Sequence, residues 1–384
     1  MSIKPILPGA RIGVLGSGQL GRMLALSARK LGYGVAVYSP EANSPASAVA
    51  DIDVVGDYLD LPRIHEFAKQ VEVVTFEFEN VPHVAAKACA EHAAVRPDGH
   101  VLHVSQNRLR EKSFLKDKGF PTTPFQRVTS LAELEQAVAT IGAPGVLKTA
   151  SFGYDGKGQM KLKTPADATK AWEAMKGVES IYEGFVDFVK EMSVIGARTL
   201  DGQVVTFPVF ENDHANHILD ITFAPAAISS ELADEARKIA QGILEKLNVV
   251  GLLTVEMFLT RDGRVLVNEL APRTHNSGHL TIDACVTSQF EQQVRAVCGL
   301  PLGSTDMTKP AAMANLLGHL WEYGEPDWTA ALQDPLVKLH LYGKREARVG
   351  RKMGHLTATG DTVELAIERV KKAREALTAK YTAK

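Results

Sequence analysis

Residues 255–279, VEMFLTRDGRVLVNELAPRTHNSGH, constrain this chain more than any other stretch. Two runs with apolar alternation, residues 252–259 and 264–270, meet at Asp262-Gly263. Asp-Gly between such runs predicts a two-residue hairpin turn, because a type I′ turn needs positive φ at both central residues. With those two residues as the turn, Glu256 stands directly opposite Glu269, Cβ atoms about 4.5–5.5 Å apart. Like charges so placed repel unless something positive lies between them. A hard divalent cation with oxygen ligands would remove the conflict. The other reading is two carboxylates on a wet sheet face, or one of them paired with a nearby arginine; spacing alone does not decide. Arg273, His275, Asn276 and His279 follow, in a run broken by Pro272 and Gly278. A polar loop leaving a strand that carries possible metal ligands has the make-up of an active site.

The rest of the chain narrows the function classes. Its 384 residues suffice for two or three domains, each with its own core. A net charge of −2 creates no global field to recruit nucleic acid or an acidic membrane, so neither is expected as a partner. Cys89, Cys285 and Cys298 are scattered and odd in number, without CxxC spacing. That argues against a disulfide framework or a zinc site and suits a reducing, cytoplasmic setting. Pro5, Pro8 and Gly9 interrupt any signal-peptide core, and no apolar run approaches the roughly 18 residues of a membrane span.

Taken in order, residues 11–15 read as a buried strand running into Gly16-Ser17-Gly18-Gln19-Leu20-Gly21, a helix, and a second strand over 35–38. This is G-x-G-x-x-G in the right context. A dinucleotide site wants an acid at the end of that second strand. Here the strand ends Val37-Tyr38-Ser39-Pro40 and Glu41 comes late, so the motif is a weak signal for a dinucleotide cofactor. The glycines either leave N–H groups free for some other ligand at a helix N-terminus, or serve only close strand–helix packing. The alternating α/β pattern continues to Phe76-Glu77-Phe78-Glu79-Asn80. Those acids lie where open α/β sheets place ligands, or are merely solvated. A charged helix within 106–116 ends this region, stopped by Gly119 and Pro121.

A second region begins at 122. Lys148 closes an apolar strand, and a near-buried lysine needs an anionic partner. Gly153, Tyr154, Asp155, Gly156, Lys157, Gly158 and Gln159 then lead into another strand over 160–163. No helix follows, so this is no Walker loop; it reads as a hairpin loop able to close over phosphates, or as a plain exposed tip. Strands are expected over 180–186, 192–199 and 204–210, then a polar loop carrying His214, and a serine-capped helix over 229–247. In the tail, 338–342, 347–349 and 354–358 alternate as strands. Lys344, Arg345, Arg348, Arg351 and Lys352 lie between them, a cluster suited to phosphate or else a solvated basic face.

Together, in this order, the lysine strand, the glycine-rich loop, EGFV with Glu191, the VEMF hairpin and VNELAPRTHNSGH resemble the ATP-grasp superfamily. With GSGQLGRML and KREARVGRKMGH, the likeness narrows to N5-carboxyaminoimidazole ribonucleotide synthetases, biotin-independent carboxylases of purine synthesis. The resemblance implies an α/β and α+β protein of the ATP-grasp fold. Its parts would be a Rossmann-like domain over 1–107, a small lid over 108–186, an antiparallel core with the metal site over 187–305, and a β-rich substrate-binding part over 306–384. It implies that ATP, bicarbonate and 5-aminoimidazole ribonucleotide give ADP, phosphate and the N5-carbamate through carboxyphosphate. It implies Mg2+, neither biotin nor NAD, and a homodimer.

By the same resemblance, Arg108, Lys148 and the loop Gly153 to Gln159 would hold ATP phosphates. Glu183, Gly184, Phe185 and Val186 would bond adenine, Glu191 the ribose, and His214 would lie beside the nucleotide. Glu256 and Glu269 would bind the metal. Asn268 would line that site, although strict alternation puts it on the opposite face from Glu269. Arg273, His275 and Asn276 would surround bicarbonate. Gly18, Gln19, Leu20, Glu77, Tyr154, Asp155, Lys344 and Arg351 would hold the aminoimidazole ribonucleotide, with Asp155 also serving the chemistry. Three other functions stay open at this point: a formate-using ATP-grasp transformylase, a dinucleotide-dependent oxidoreductase resting on GSGQLG, and a non-catalytic nucleotide-binding regulator.

Overall fold

The computed structural model describes residues 4–151 and 158–382. Near-continuous apolar runs form a first, parallel sheet covered on both faces, as such runs do. Its strands are β1 (Arg11–Leu15), β2 (Gly34–Ser39), β3 (Ile52–Val55), β4 (Val73–Phe76) and β5 (Ala94–Val95), in the order β3-β2-β1-β4-β5. Leu15 pairs with both Tyr38 and Phe76, so β1, β2 and β4 end together at one edge. The glycine-rich turn and the acids Glu77 and Glu79 therefore leave the sheet side by side.

A second, antiparallel sheet comprises β6 (Phe125–Val128), β7 (Gly145–Thr149), β8 (Gln159–Leu162) and β9 (Ser180–Gly184), ordered β6-β9-β7-β8. Leu134 and Val138 of the helix Leu131–Ile141 pack with Leu147, Tyr182 and Ala171 to form its small core. The loop joining β7 to β8 carries Gly153, Tyr154, Asp155, Gly156 and Lys157, which lie outside the described residues.

The third sheet has nine strands: β10 (Phe188–Arg198), β11 (Val204–Thr206), β12 (Phe210–Ala215), β13 (Ile218–Ala224), β14 (Gly251–Thr260), β15 (Val265–Ala271), β16 (Ala311–Leu317), β17 (Val337–Leu341) and β18 (Lys352–Thr359). The order is β15-β14-β10-β12-β13-β16-β18-β17, with β11 beside β10. The three strands after residue 306 thus continue the central sheet. The strand expected over 347–349 does not form; Gly343 and Gly350 take φ of 75° and 77°, which breaks extended pairing on both sides of it.

The helix Ser230–Lys246, capped by the Ser229 side chain on Leu232 N–H, lays Ile243 and Leu244 on Leu253 and Val255. The helix Gln289–Cys298 sits between the first and third sheets, with Phe290, Val294 and Val297 in the same core as Ile12, Val14 and Val73. Its Gln293 accepts from Leu252 N–H (2.7 Å) and donates to Thr75 Oγ1 (2.8 Å), tying β14 to β4. This contact sets the carboxyl end of the first sheet against the β14–β15 hairpin.

Candidate active site

The hairpin does not turn as its Asp-Gly pair suggests. Thr260 N–H donates to Arg264 O (2.9 Å) and Gly263 N–H to Thr260 O (3.0 Å), so three residues, Arg261 to Gly263, form the loop. Gly263 has φ of 82°, while Asp262 is not in the left-handed region, and a type I′ turn would require both. The longer loop offsets the strands by one residue, pairing Met257 with Val267. A bulge between Glu256 and Met257 restores the offset, so Glu256 does pair with Glu269. The extra residue is Asn268. A bulge breaks strict alternation, and Asn268 and Glu269 both line one cavity of about 990 Å³. The objection that alternation raises against Asn268 is thereby removed.

The two carboxylates are electrostatically unequal. Burial pushes Glu256 up, but His275, with Nε2 3.0 Å from Oε1, outweighs it and holds the carboxyl down at about 2. His275 Nδ1 accepts from Ser277 N–H (3.3 Å), which leaves the ring proton on Nε2, facing Glu256. Burial and the facing Glu256 push Glu269 up; Arg108, 4.0 Å away, opposes them without prevailing. A facing carboxylate pair with an amide oxygen beside it is a donor set that fits magnesium, which takes few protein ligands and keeps waters.

Around this pair the cavity collects charge from all three sheets. Lys148 Nζ lies 2.7 Å from Glu183 Oε2 across β7 and β9, while Glu183 Oε1 is buried without a partner. The Glu183 carboxylate is thus engaged by Lys148, so a contact with adenine would fall to the backbone of Gly184, Phe185 and Val186, which also line the cavity. His214 Nδ1 lies 3.3 Å from Glu191 Oε2; burial lowers its pKa, but Glu191 outweighs this and the net shift is upward. Phe188 stacks on Phe258 with centroids 4.6 Å apart. Arg273 Nε pairs with Glu79 at 2.5 Å, joining the third sheet to the first. Asn276 and Asn315 exchange amide hydrogen bonds of 3.1 and 2.8 Å.

At the first sheet, the expectation of free N–H groups fails at Gly18 and Gly21. Gly18 N–H and Gly21 N–H both donate to the Glu77 carboxylate, the latter at 2.7 Å. A Cβ on Gly16 would fall 2.2 Å from Glu77 Cγ, which explains that glycine. Burial nevertheless leaves Glu77 with a raised pKa. Gln19 and Leu20 line the cavity; Gly18 stands behind them. In the tail, Lys344 Nζ donates to Lys352 O (2.6 Å) and Arg351 to Glu346 O (3.0 Å). Burial, then Arg351 and Lys352, push Lys344 down to about 8. Lys352 lines the cavity; Lys344 and Arg351 do not.

Gln159 lines the cavity too, and Gly158, with φ of 70°, accepts from Thr149 N–H (2.8 Å) at the loop's far end. Sequence reasoning placed Glu79 among acids at a strand's carboxyl end and Lys352 in a cation cluster, without a specific partner for either, and it assigned no role to Phe188 or Phe258. Phe258 was findable, being two residues from Glu256 on the same strand face. For Lys352 there was no signal separating it from its cationic neighbours.

This fold and cavity define an ATP-grasp enzyme. The ATP-grasp domain pattern matches residues 113–290, the ribonucleotide synthetase preATP-grasp domain 10–106, and the phosphoribosylaminoimidazole carboxylase C-terminal domain 311–369. The N5-carboxyaminoimidazole ribonucleotide synthase of Bacillus subtilis is 45% identical over 357 residues, 93% of each chain. That of Brucella melitensis is 46% identical over 352 residues, 91% of this chain and 96% of its own. The chain belongs to the N5-carboxyaminoimidazole ribonucleotide synthase family. The crystal structure of an N5-carboxyaminoimidazole ribonucleotide synthetase as its ADP complex superposes with a TM-score of 0.92 at 43% identity, covering 97% of this chain and 98% of that one. The Aspergillus clavatus synthase, solved with ADP and 5-aminoimidazole ribonucleotide, gives 0.88 at 31%, covering 96% and 98%.

Proposed function

We infer that this chain is the ligase that carboxylates 5-aminoimidazole ribonucleotide to N5-carboxyaminoimidazole ribonucleotide at the expense of ATP, in purine biosynthesis. The observation that carries the reading is the shared cavity of about 990 Å³, where Lys148, the Glu256–Glu269 pair, Arg273 and Gln19 all open. Those residues come from three sheets, as a reaction joining three substrates requires.

In this reading Arg108 and Lys148 hold the ATP phosphates, with the loop Gly153 to Gln159 closing over them. The strand end Glu183 to Val186 and the Phe188–Phe258 stack flank adenine; Glu191 and His214 face the ribose. Glu256 and Glu269, with Asn268 beside them, would hold magnesium, which when bound neutralises charge on the β- and γ-phosphates. Arg273, His275 and Asn276 orient bicarbonate. A bicarbonate oxygen attacks the γ-phosphorus, the bond to the bridging oxygen breaks, and ADP leaves. The exocyclic amine then attacks the carboxyl carbon of carboxyphosphate, or carbon dioxide released from it. Phosphate departs, and the amine proton passes to a base, for which Asp155 is the candidate. Gln19 and Glu77 face the acceptor and Lys352 its phosphate, with Lys344 and Arg351, outside the cavity lining, as the further cations proposed for that phosphate. Lys344, crowded by two cations, gains a counterion when that phosphate arrives. The closed cavity keeps water from the labile intermediate. The same reading makes the enzyme a cytoplasmic homodimer that uses neither biotin nor NAD.

The test is isotopic. Oxygen-18 supplied in bicarbonate should appear in the released phosphate, and phosphate release should need bicarbonate and the aminoimidazole together. Phosphate free of label would overturn the order of steps. Release driven by formate instead of bicarbonate would overturn the substrate assignment.

A further inference from the structure

β15 is an edge strand of the central sheet, and an edge strand presents unpaired N–H and C=O groups. Here those groups are taken by residues 111–122. Val267 N–H donates to Pro121 O at 2.8 Å. Val267 O accepts from Lys112 Nζ at 3.1 Å and from Thr122 Oγ1 at 3.2 Å. Leu270 N–H donates to Glu111 Oε2 at 3.0 Å. The anchors fall on Val267 and Leu270, the residues on either side of Asn268 and Glu269.

Glu111 and Lys112 are 2% and 1% exposed. Burying two charged side chains is costly unless each finds partners, and each finds one on this strand. The same helix, Arg108–Asp117, brings Arg108 to 4.0 Å from Glu269. One helix therefore touches the hairpin both at a carboxylate and at the backbone that presents it.

We propose that Lys112 and Glu111 are positioning residues that hold the bulge at Asn268, so that Asn268 and Glu269 enter the cavity together. The competing arrangement is a regular strand. Slipping the register by one residue sends a side chain to the opposite face. Without the clamp, a β15 relaxed toward regular pairing would turn Asn268 or Glu269 away from Glu256. The proposal rests on the reading that Glu256 and Glu269 take the divalent cation.

The experiment uses Lys112→Met, Thr122→Val and Glu269→Gln in the full chain, with Mn2+ binding to the ADP complex followed by electron paramagnetic resonance well below the melting temperature. Support for oriented ligands typically contributes ten- to a hundredfold in metal affinity. Lys112→Met should raise the Mn2+ half-saturation about tenfold and lower kcat at least as much, leaving the KM for aminoimidazole ribonucleotide unchanged. Thr122→Val, which removes one of two donors to Val267 O at little change in volume, should give a smaller shift of about threefold. If Lys112→Met does not fold, Thr122→Val decides. Folded variants that bind Mn2+ as the parent does overturn the clamp, even if they melt earlier. If Glu269→Gln also binds Mn2+ as the parent does, the metal assignment fails instead.

Discussion

Glu79 lies on the first sheet's exit and Arg273 on the third, so Glu79→Gln asks what holds Arg273 in place. The pair is largely enclosed, the side chains being 23% and 17% exposed. Burial pushes Glu79 up, but Arg273 outweighs it and holds the carboxyl below its ordinary range. Gln keeps the shape and loses the charge. Gln still bonds a charged guanidinium, so what is lost is the ion-pair excess, roughly 1–1.5 kcal/mol, about half of the 1.5–3 kcal/mol of a hydrogen bond to a charged group. Breaking a buried pair outright costs about 3–5 kcal/mol, but that bound is not reached here. Arg273 keeps its bond to Thr274 O (3.1 Å), and Glu256 and Glu269 already attract it. It should therefore swing toward the facing carboxylates. Two effects follow: bicarbonate loses its guanidinium, and the metal pair gains a competitor. At about tenfold per 1.4 kcal/mol, the KM for bicarbonate should rise roughly five- to twelvefold. The magnesium needed for half-maximal rate should rise as well, while the KM for ATP stays put. Steady-state assays varying each ligand in turn measure all three. A variant with the parent's bicarbonate KM and magnesium dependence would show that Glu79 does not position Arg273.

Glu269→Gln should lower kcat by roughly a hundredfold or more, as for loss of one electrostatic stabiliser, while the melting temperature holds because repulsion with Glu256 is relieved; near-normal turnover at low magnesium would refute this. Lys344→Ala and Lys352→Ala should each raise the KM for aminoimidazole ribonucleotide about ten- to a hundredfold and leave that for ATP alone. Equal loss of ATP affinity would assign these cations to the nucleotide instead. His279 and His355 are buried and held well below the ordinary histidine range, chiefly by burial and then by neighbouring histidines. Their folded pKa values are depressed, so their stabilising contribution is full above the unfolded value near 6.5 and is lost as pH falls below it. With two such groups, unfolding free energy should drop by up to about 2.7 kcal/mol per pH unit in that acid window. Denaturant titrations at pH 7 and 5.5 check it, and His355→Gln should flatten the slope; equal stability at both pH values would refute it.

Much of the site was legible because its chemistry is written in local patterns. The facing carboxylates are the instructive case. The sequence argument reached the right pair through a wrong turn, because the three-residue loop and the bulge at Asn268 shift the register in opposite senses. Asp262-Gly263 signals a turn but not its length, and a bulge has no signature when the bulged residue is an asparagine. Glu77 failed differently: the glycines and the acid were both noticed, yet that one plugs the other depends on β1 and β4 being neighbours. The cationic tail was read as a cluster, but which cation faces inward depends on where β18 starts, at Lys352. Glu111 and Lys112 looked like two more charges on a charged helix, and their burial is set by the hairpin 155 to 159 residues further on.

The charges in the cavity are paired with one another: Lys148 with Glu183, Arg273 with Glu79, His275 with Glu256, and Glu77 with the amides of Gly18 and Gly21. Such pairing is what permits so many ionised groups to be enclosed, since a bare buried charge is far costlier than a matched one. Two of the four pairs tie elements distant in sequence, and Arg273–Glu79 joins two sheets. Folding the central sheet alone therefore cannot complete the site, because Arg273 would lack the carboxylate that fixes it. At the Glu256–Glu269 pair, by contrast, burial and repulsion remain uncompensated on Glu269. A cation added there meets two facing carboxylates at once, and the Lys112 clamp acts on the backbone at that same spot.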